Sequence, residues 1–297
     1  MLSNIDGWHA EFFPDGNRIV FSVPFNNREQ KGIYVFDREN GDAIRLTQPD
    51  YRDGFPTVFP DGQKIIFSRG NTMNIALWIM DVDGSNKRAL TFPPLFSADY
   101  GAFTSPNGKY IAFCRKSFAG HADLLLLELE TSKIIRLQQK INRFRDGCLR
   151  WKNDEEILFF SDSSSFSFID NATVVDSIRI VNVQTGEIRS MALPGKERME
   201  DIRSYQDISF STNQELLLLC PNKPYLYQLC IRKLFSEETP HILTDGQFNV
   251  SNALFHPNGE AVLFGTNEIK NGSVYSRTFY FFDIKAEHIE KLFTVSP

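Results

Sequence analysis

The sequence predicts an all-β fold, a six-bladed β-propeller with four antiparallel strands in each blade. Three observations predict it. A short turn motif recurs along the chain at nearly even spacing. Each copy is followed by the same order of apolar runs and turn residues. Phenylalanine, a good strand former, occurs 27 times in 297 residues.

The motif is clearest in Phe12-Phe13-Pro14-Asp15-Gly16 followed by Ile19-Val20-Phe21-Ser22, and in Val58-Phe59-Pro60-Asp61-Gly62 followed by Ile65-Ile66-Phe67-Ser68. Ser105-Pro106-Asn107-Gly108 and His256-Pro257-Asn258-Gly259 repeat it. Proline presets the backbone of the first central turn position. Asp or Asn followed by Gly supplies conformations that cost other residues more. The short apolar run that follows is a buried strand. The motif is therefore a hairpin connection and carries no chemistry of its own.

The turn proline or its equivalent falls at Pro14, Pro60, Pro106, Asn153, Thr212 and Pro257, giving intervals of 46, 46, 47, 59 and 45 residues. Two copies are worn: Asn153-Asp154-Glu155 and Thr212-Asn213-Gln214 replace the proline and glycine. After each second strand comes a loop and a third strand: Ile33–Asp37, Leu77–Asp81, Leu124–Glu128, Ile178–Asn182, Leu226–Leu229 and Phe279–Asp283. A turn such as Asp83-Gly84-Ser85 follows. The fourth strands are Ile44–Thr47, Arg88–Thr91, Ile134–Leu137, Ile188–Met191, His241–Thr244 and Ile289–Leu292. The blades span approximately 7–48, 53–92, 99–138, 146–193, 206–245 and 250–295, in one domain over 1–297. One such sheet cannot cover both of its faces, and stacking against its neighbours does so. Both ends of the chain fall between a fourth and a first strand, so packing of the first blade on the last is expected to close the ring.

Net charge is −5 and the isoelectric point about 5.6, which argues against a nucleic-acid partner. No apolar run is long enough to span a membrane. Met1-Leu2-Ser3-Asn4-Ile5-Asp6 has no basic region followed by an apolar one. A cytoplasmic protein is expected, or a periplasmic or secreted one if a leader has been removed. Cys114, Cys148, Cys220 and Cys230 form no Cys-x-x-Cys pair, and buried free thiols are expected.

The repeat resembles the TolB-like, WD-repeat-like propeller family. The match is carried by Asp53 to Ser68, by Leu77 to Asp81 with Asp83-Gly84, and by Ala89-Leu90-Thr91. It departs from the pattern in the two worn copies. The resemblance implies the propeller fold and says little about activity. TolB proteins add an N-terminal domain and an export signal, neither of which is read here. The chain is also similar to the propeller half of prolyl-oligopeptidase-like enzymes, without Gly-x-Ser-x-Gly or a hydrolase half.

The loops from second to third strands and from one blade to the next share a face, where a site is expected. They include Pro93–Tyr100 and Thr266–Arg277, and the two longest are Asp162–Asp176 and Pro194–Asp207. Asp53, Asp99 and Asp146 fall at one register before the first strands of three blades. They read as a cation site, or as caps of their own turns. Arg69, Arg115 and Arg145 lie near the same rim, to pair these carboxylates or to hold an anionic ligand. His121 is a further candidate. The five histidines lack metal-ligand spacing, so the metal site of oligogalacturonate lyases is not expected. No metal and no cofactor is predicted. The expected function is a non-catalytic scaffold, a monomer that binds a protein, a peptide or a small ligand through one loop face. The alternative is a hydrolase or lyase acting on a saccharide or other small ligand at the channel mouth, using Asp53, Asp99, Asp146, Arg115 and His121. A third possibility is an accessory domain for a separately encoded partner.

Overall fold

The four full copies of the motif form the same hairpin, and the worn copy at Thr212 lies outside the described residues. In the computed structural model of the protein, the Phe13 N–H donates to the Arg18 carbonyl at 2.8 Å and the Gly16 N–H to the Phe13 carbonyl at 2.9 Å. The same pair of bonds recurs at Phe59 with Gly62, at Ser105 with Gly108 and at His256 with Gly259. Asp15, Asp61, Asn107 and Asn258 each accept a backbone N–H two residues on. The four glycines have φ between 68° and 76°, the left-handed region that the turn needs. In the worn copy at Asn153 the loop is one residue shorter, closing from the Lys152 N–H to the Glu156 carbonyl. Asn153 caps it by accepting from the Glu155 and Glu156 amides.

The structure describes residues 9–23, 30–71, 74–117, 122–141, 149–161, 177–192, 209–210, 215–223, 226–233, 241–244, 246, 248, 250–270 and 273–295. Among them the fold is all-β and contains no helix. The first group of strands is β1 (Ala10–Phe12), β2 (Arg18–Val23), β3 (Gly32–Asp37) and β4 (Ala43–Arg45). The second is β5 (Arg52–Val58), β6 (Lys64–Gly70), β7 (Asn74–Asp81) and β8 (Arg88–Ala89). The third is β9 (Ser97–Thr104), β10 (Tyr110–Ser117), β11 (Ala122–Glu128) and β12 (Lys133–Ile141). The fourth is β13 (Leu149–Trp151), β14 (Glu156–Ser161), β15 (Ser177–Asn182) and β16 (Ile188–Ala192). The fifth is β17 (Ser209–Phe210), β18 (Glu215–Lys223), β19 (Leu226–Lys233) and β20 (His241–Ile242). The sixth is β21 (Val250–Phe255), β22 (Ala261–Lys270), β23 (Ser273–Asp283) and β24 (His288–Val295).

Strands pair antiparallel in chain order within each group, and a short parallel contact between β7 and β9 joins the second and third groups into one sheet. The loop expected over Thr266–Arg277 is instead a long hairpin arm, because β22 and β23 keep pairing from Thr266↔Thr278 to Lys270↔Ser273. Its β-branched residues Thr266, Ile269, Val274 and Thr278 suit that extension.

The fourth strands end on a recurrent threonine with a defined task. Its hydroxyl accepts a third-strand amide: Ile33 to Thr47 at 3.0 Å, Leu77 to Thr91 at 2.9 Å and Leu229 to Thr244 at 3.0 Å. All three threonines are buried. The hydroxyl satisfies an amide that the short outer strand no longer pairs.

The chain divides into two compact units, residues 1–161 with 179–190, and residues 162–178 with 191–297. In the first, successive sheets pack face to face and the strand period of two sends alternate residues to opposite neighbours. Ile65 and Phe67 pack with Phe13, Val20 and Ile33 of the first group. Ile66 instead joins Ile111 and Phe113 of the third. Ala112 and Cys114 turn the other way, to Leu149, Ile157 and Phe159 of the fourth. Trp151 adds a tie across that boundary, its indole N–H donating to the Phe103 carbonyl at 2.8 Å. In the second unit Leu229 packs with Val250, Phe255, Val262 and Phe264.

Cys114 is a buried free thiol, as expected. Cys230 is disulfide-bonded, which corrects the reading of the cysteines as free thiols. Cys148 and the side chain of Cys220 lie outside the described residues. No helix among the described residues is long and apolar enough to cross a membrane.

Two glycine substitutions separate conformation from space. A Cβ at Gly70 would stand 2.1 Å from the Asn74 carbonyl oxygen and 2.6 Å from the Ile75 Cα, both backbone atoms. A Cβ at Gly108 meets nothing within 4 Å and costs only its φ of +70°. Urea denaturation should show Gly108→Ala losing about 1–2 kcal/mol. Gly70→Ala should lose clearly more, because the β6–β7 connection must open.

Candidate functional site

Asp53 and Asp99 occupy matching places near the start of β5 and β9, and their strands explain the geometry. Asp53 is directly opposite Arg69 across the β5–β6 ladder, and Asp99 is directly opposite Arg115 across β9–β10. Such cross-strand neighbours are the contacts a sheet offers first. Arg69 donates to both oxygens of Asp53, Nε at 2.7 Å and Nη2 at 2.6 Å. Arg115 does the same to Asp99, at 2.6 and 2.7 Å. Both carboxylate side chains are fully buried.

A β-bulge shapes this end of the inner strands. The β5–β6 register shifts between Gly54 and Thr57, and the β9–β10 register between Ala112 and Cys114. Phe55 and Gly101 sit in these bulges, five residues before their turn prolines, with φ of 52° and 60°. Glycine takes such a φ freely, whereas a phenylalanine there is strained. Burial offsets the strain at Phe55, whose ring meets His9 at 3.8 Å and Tyr100 at 6.0 Å between centroids. The bulge re-aims the strand end that carries each aspartate.

Further bonds tie the two ion pairs into the sheets. The Arg69 guanidinium lies over Tyr51, Phe67 and Trp78 at 4.7, 5.1 and 5.0 Å from their ring centroids. The Ser68 hydroxyl donates to the Asp99 carbonyl at 3.1 Å. Burial pushes the Asp99 carboxyl above its ordinary range, against hydrogen bonds from Arg115 and Thr91 that pull it down. Of the other predicted residues, His121, Arg145 and Asp146 lie outside the described residues. Among the described residues no three His, Cys, Asp or Glu side chains converge as a metal site.

The same face exposes an apolar loop that the sequence placed but did not mark out. Between β8 and β9, Phe92, Leu95 and Phe96 are 85%, 73% and 53% exposed. The loop is held in shape: Asn74 Nδ2 donates to the Pro93 carbonyl at 3.0 Å and the Ser97 N–H to the Pro94 carbonyl at 3.2 Å. Phe96 has φ of 62°. Its ring is half exposed, so core burial does not offset the strain as it does at Phe55.

A second feature unforeseen from the sequence lies at the turn end of the inner strands. The Val58 N–H donates to the Glu11 carboxylate, and the charge of Arg150 also acts on it. Oε2 of Glu11 is buried without a hydrogen-bond partner. Burial therefore dominates and pushes the Glu11 carboxyl up to about 7.

Two measurements follow from this geometry. Asp53→Asn leaves Arg69 buried without its counter-charge and should cost about 3–5 kcal/mol in urea denaturation. The double variant Asp53→Leu with Arg69→Met should recover most of that loss. For Glu11 the folded state holds its proton to a higher pH than the unfolded chain does. Stability from this group is full below about pH 4.5 and falls, by on the order of 2–3 kcal/mol, up to about pH 7. Glu11→Gln should flatten that fall in melts recorded between these values.

No protein-family model matches the chain. An uncharacterised protein of Agrobacterium fabrum is 31% identical over 114 residues, 38% of this chain and 37% of that protein. The Tol-Pal system protein TolB of Gluconobacter oxydans is 40% identical over 67 residues, 23% of this chain and 14% of that protein. The matched stretches thus span well under half of either relative. Among solved structures, TolB of Acinetobacter baumannii superimposes with a TM-score of 0.67 at 17% identity, over 92% of this chain and 62% of that one. A puromycin-hydrolysing peptidase of Mycobacterium tuberculosis gives 0.62 at 13% identity, over 96% and 44%. An oligogalacturonate lyase in complex with manganese gives 0.53 at 12% identity, over 94% and 74%. At these identities the likeness to the solved structures is one of fold. The chain thus shares the fold of TolB and, over a short stretch, is similar in sequence to a TolB protein.

Proposed function

We propose that the chain is a non-catalytic binding scaffold, a propeller whose six strand groups are blades of one domain over 1–297. It holds a protein or peptide partner by an apolar anchor on its loop face. One observation carries this reading: Phe92, Leu95 and Phe96 are exposed together on a hydrogen-bonded loop with a strained backbone. Large apolar side chains presented by a rigid loop are what protein interfaces use as anchors. The ion pairs below the loop support the same reading. Asp53 and Asp99 each give both oxygens to an arginine, so they brace the loop face in place of acid–base or metal chemistry.

The hydrolase or lyase alternative draws on the fold shared with a peptidase and a lyase. It would need carboxylates open to a substrate, and Asp53 and Asp99 are closed by their arginines. The partner protein is proposed to bind a monomer. The periplasmic alternative is favoured over the cytoplasmic one. A Tol-Pal system protein is among the relatives, and the Cys230 disulfide suits an oxidising compartment.

The test compares the wild-type chain with the pair Phe92→Ser and Leu95→Ser, each immobilised and exposed to extract of the native cell. A partner retained by the first and lost from the second should then bind the purified wild-type chain at least tenfold more tightly than the variant. Identical retention by both chains would remove the loop from the interface. Phe96→Gly offers an independent check: it should raise stability by about 1 kcal/mol through relief of strain while weakening the same partner.

A further inference from the structure

The loop between β8 and β9 is closed on itself in a way that bears on what it can enter. Pro93 and Pro94 have no N–H to satisfy. The Pro93 carbonyl accepts from Asn74 Nδ2, and the Pro94 carbonyl from the Ser97 N–H. Pro94 to Ser97 is therefore a β-turn, with Phe96 left-handed at its third position. Leu95 and Phe96 are its two corner residues and Phe92 precedes them, all three exposed. At the centre of the loop two donors are absent and two acceptors are met.

The charges at this end of the sheets have one prevailing sign. Register pairs Arg52 with Gly70, Gly70 with Ile75, Ile75 with Ala98 and Ala98 with Lys116. Arg52 and Lys116 thus lie at one level, beside the point where the loop enters β9. Lys31 stands just before β3 at the same end, and Arg45 reaches the Lys31 and Thr47 carbonyls there. Asp53, Asp99 and Asp123 are each joined to an arginine. Among the described residues of the first three groups, that leaves Lys31, Arg45, Arg52 and Lys116 at this rim against Asp50. The excess is positive although the whole chain carries −5.

A loop that enters a lipid headgroup layer loses water from its backbone as well as from its side chains, so backbone groups satisfied within the loop favour that environment. A protein pocket supplies hydrogen bonds of its own and does not require this closure. Phe and Leu provide the apolar burial of an interfacial segment, and basic groups around them add attraction to anionic lipid. Tyr51, exposed at the same rim, has the ring and hydroxyl that suit headgroup level. We propose that this turn seats the chain on an anionic lipid surface, with Phe92, Leu95 and Phe96 below the headgroups and Lys31 and Lys116 over lipid phosphates. The proposal goes beyond the protein-binding reading and does not rest on it. The same three side chains serve both occupants, so lipid and protein exclude each other at the loop.

The test uses the full chain and vesicles of phosphatidylcholine with about 30% phosphatidylglycerol, against phosphatidylcholine alone, in low salt. Flotation should show half of the chain bound at about 1 mM anionic-vesicle lipid, and binding about tenfold weaker to the neutral vesicles. Phe92→Ser with Leu95→Ser should weaken anionic-vesicle binding about tenfold or more. Lys116→Gln should weaken it about fivefold. Circular dichroism and melts show whether these variants fold. Phe92→Trp keeps the apolar character of the site and decides the matter if they do not. Relative to the wild-type chain, its emission should shift to the blue on anionic vesicles and be quenched by spin-labelled lipid. No flotation up to about 10 mM lipid, equal binding by the folded double serine variant, or an unshifted Phe92→Trp emission would overturn the proposal. A chain that ignores vesicles but holds a protein through the same loop would overturn this proposal alone.

Discussion

The first unit depends on one constraint: its inner sheets, among the described residues, are apolar on both faces and must be covered on both. β6 shows it most directly. Ile65, Ile66 and Phe67 are successive residues, all wholly buried, and they serve two different interfaces. The strand period of two sends them to opposite sides, so no face can be left to water. Burying side chains of this size stabilises by about 1.5–3 kcal/mol each. That gain is available only when neighbouring sheets are in place. Substituting one strand therefore affects the sheets on both sides of it.

Polar groups at the ends of the inner strands are handled within that packing. A carboxylate at the start of β5 or β9 would be costly beside so much apolar surface. A bidentate arginine on the next strand meets both of its oxygens and places three aromatic rings around the guanidinium of Arg69. Thr91 links two of these devices. Its hydroxyl accepts from the Leu77 amide and also bonds Asp99 in the following group. The rim is thus braced from sheet to sheet by side chains, and the loops above it start from fixed points.

Two strained phenylalanines mark different uses of that rigidity. Phe55 adopts a left-handed backbone and is repaid by burial against His9 and Tyr100. Phe96 adopts a similar backbone and remains half exposed. Strain that the core does not offset is more often kept where a surface is used. Glu11 is the polar counterpart, an acid retained inside with one oxygen unmet.

The hairpins, the order of strands and the places of the turn glycines were legible in the sequence alone. They depend on residues close together in the chain: proline, an Asx side chain and glycine act within five positions, and period-two apolar runs declare a strand. The aspartate register was legible too, at Asp53 and Asp99. What those aspartates do was decided by the tertiary structure, because the ladder register that sets Arg69 and Arg115 opposite them includes a bulge that no local pattern announces. The long arm of β22 and β23 was read as a loop for a related reason: its polar residues look like loop residues until pairing carries the ladder through them. Exposure of Phe92 and Phe96 and burial of the Glu11 carboxyl likewise belong to the packing of sheets, where residues tens of positions apart become neighbours.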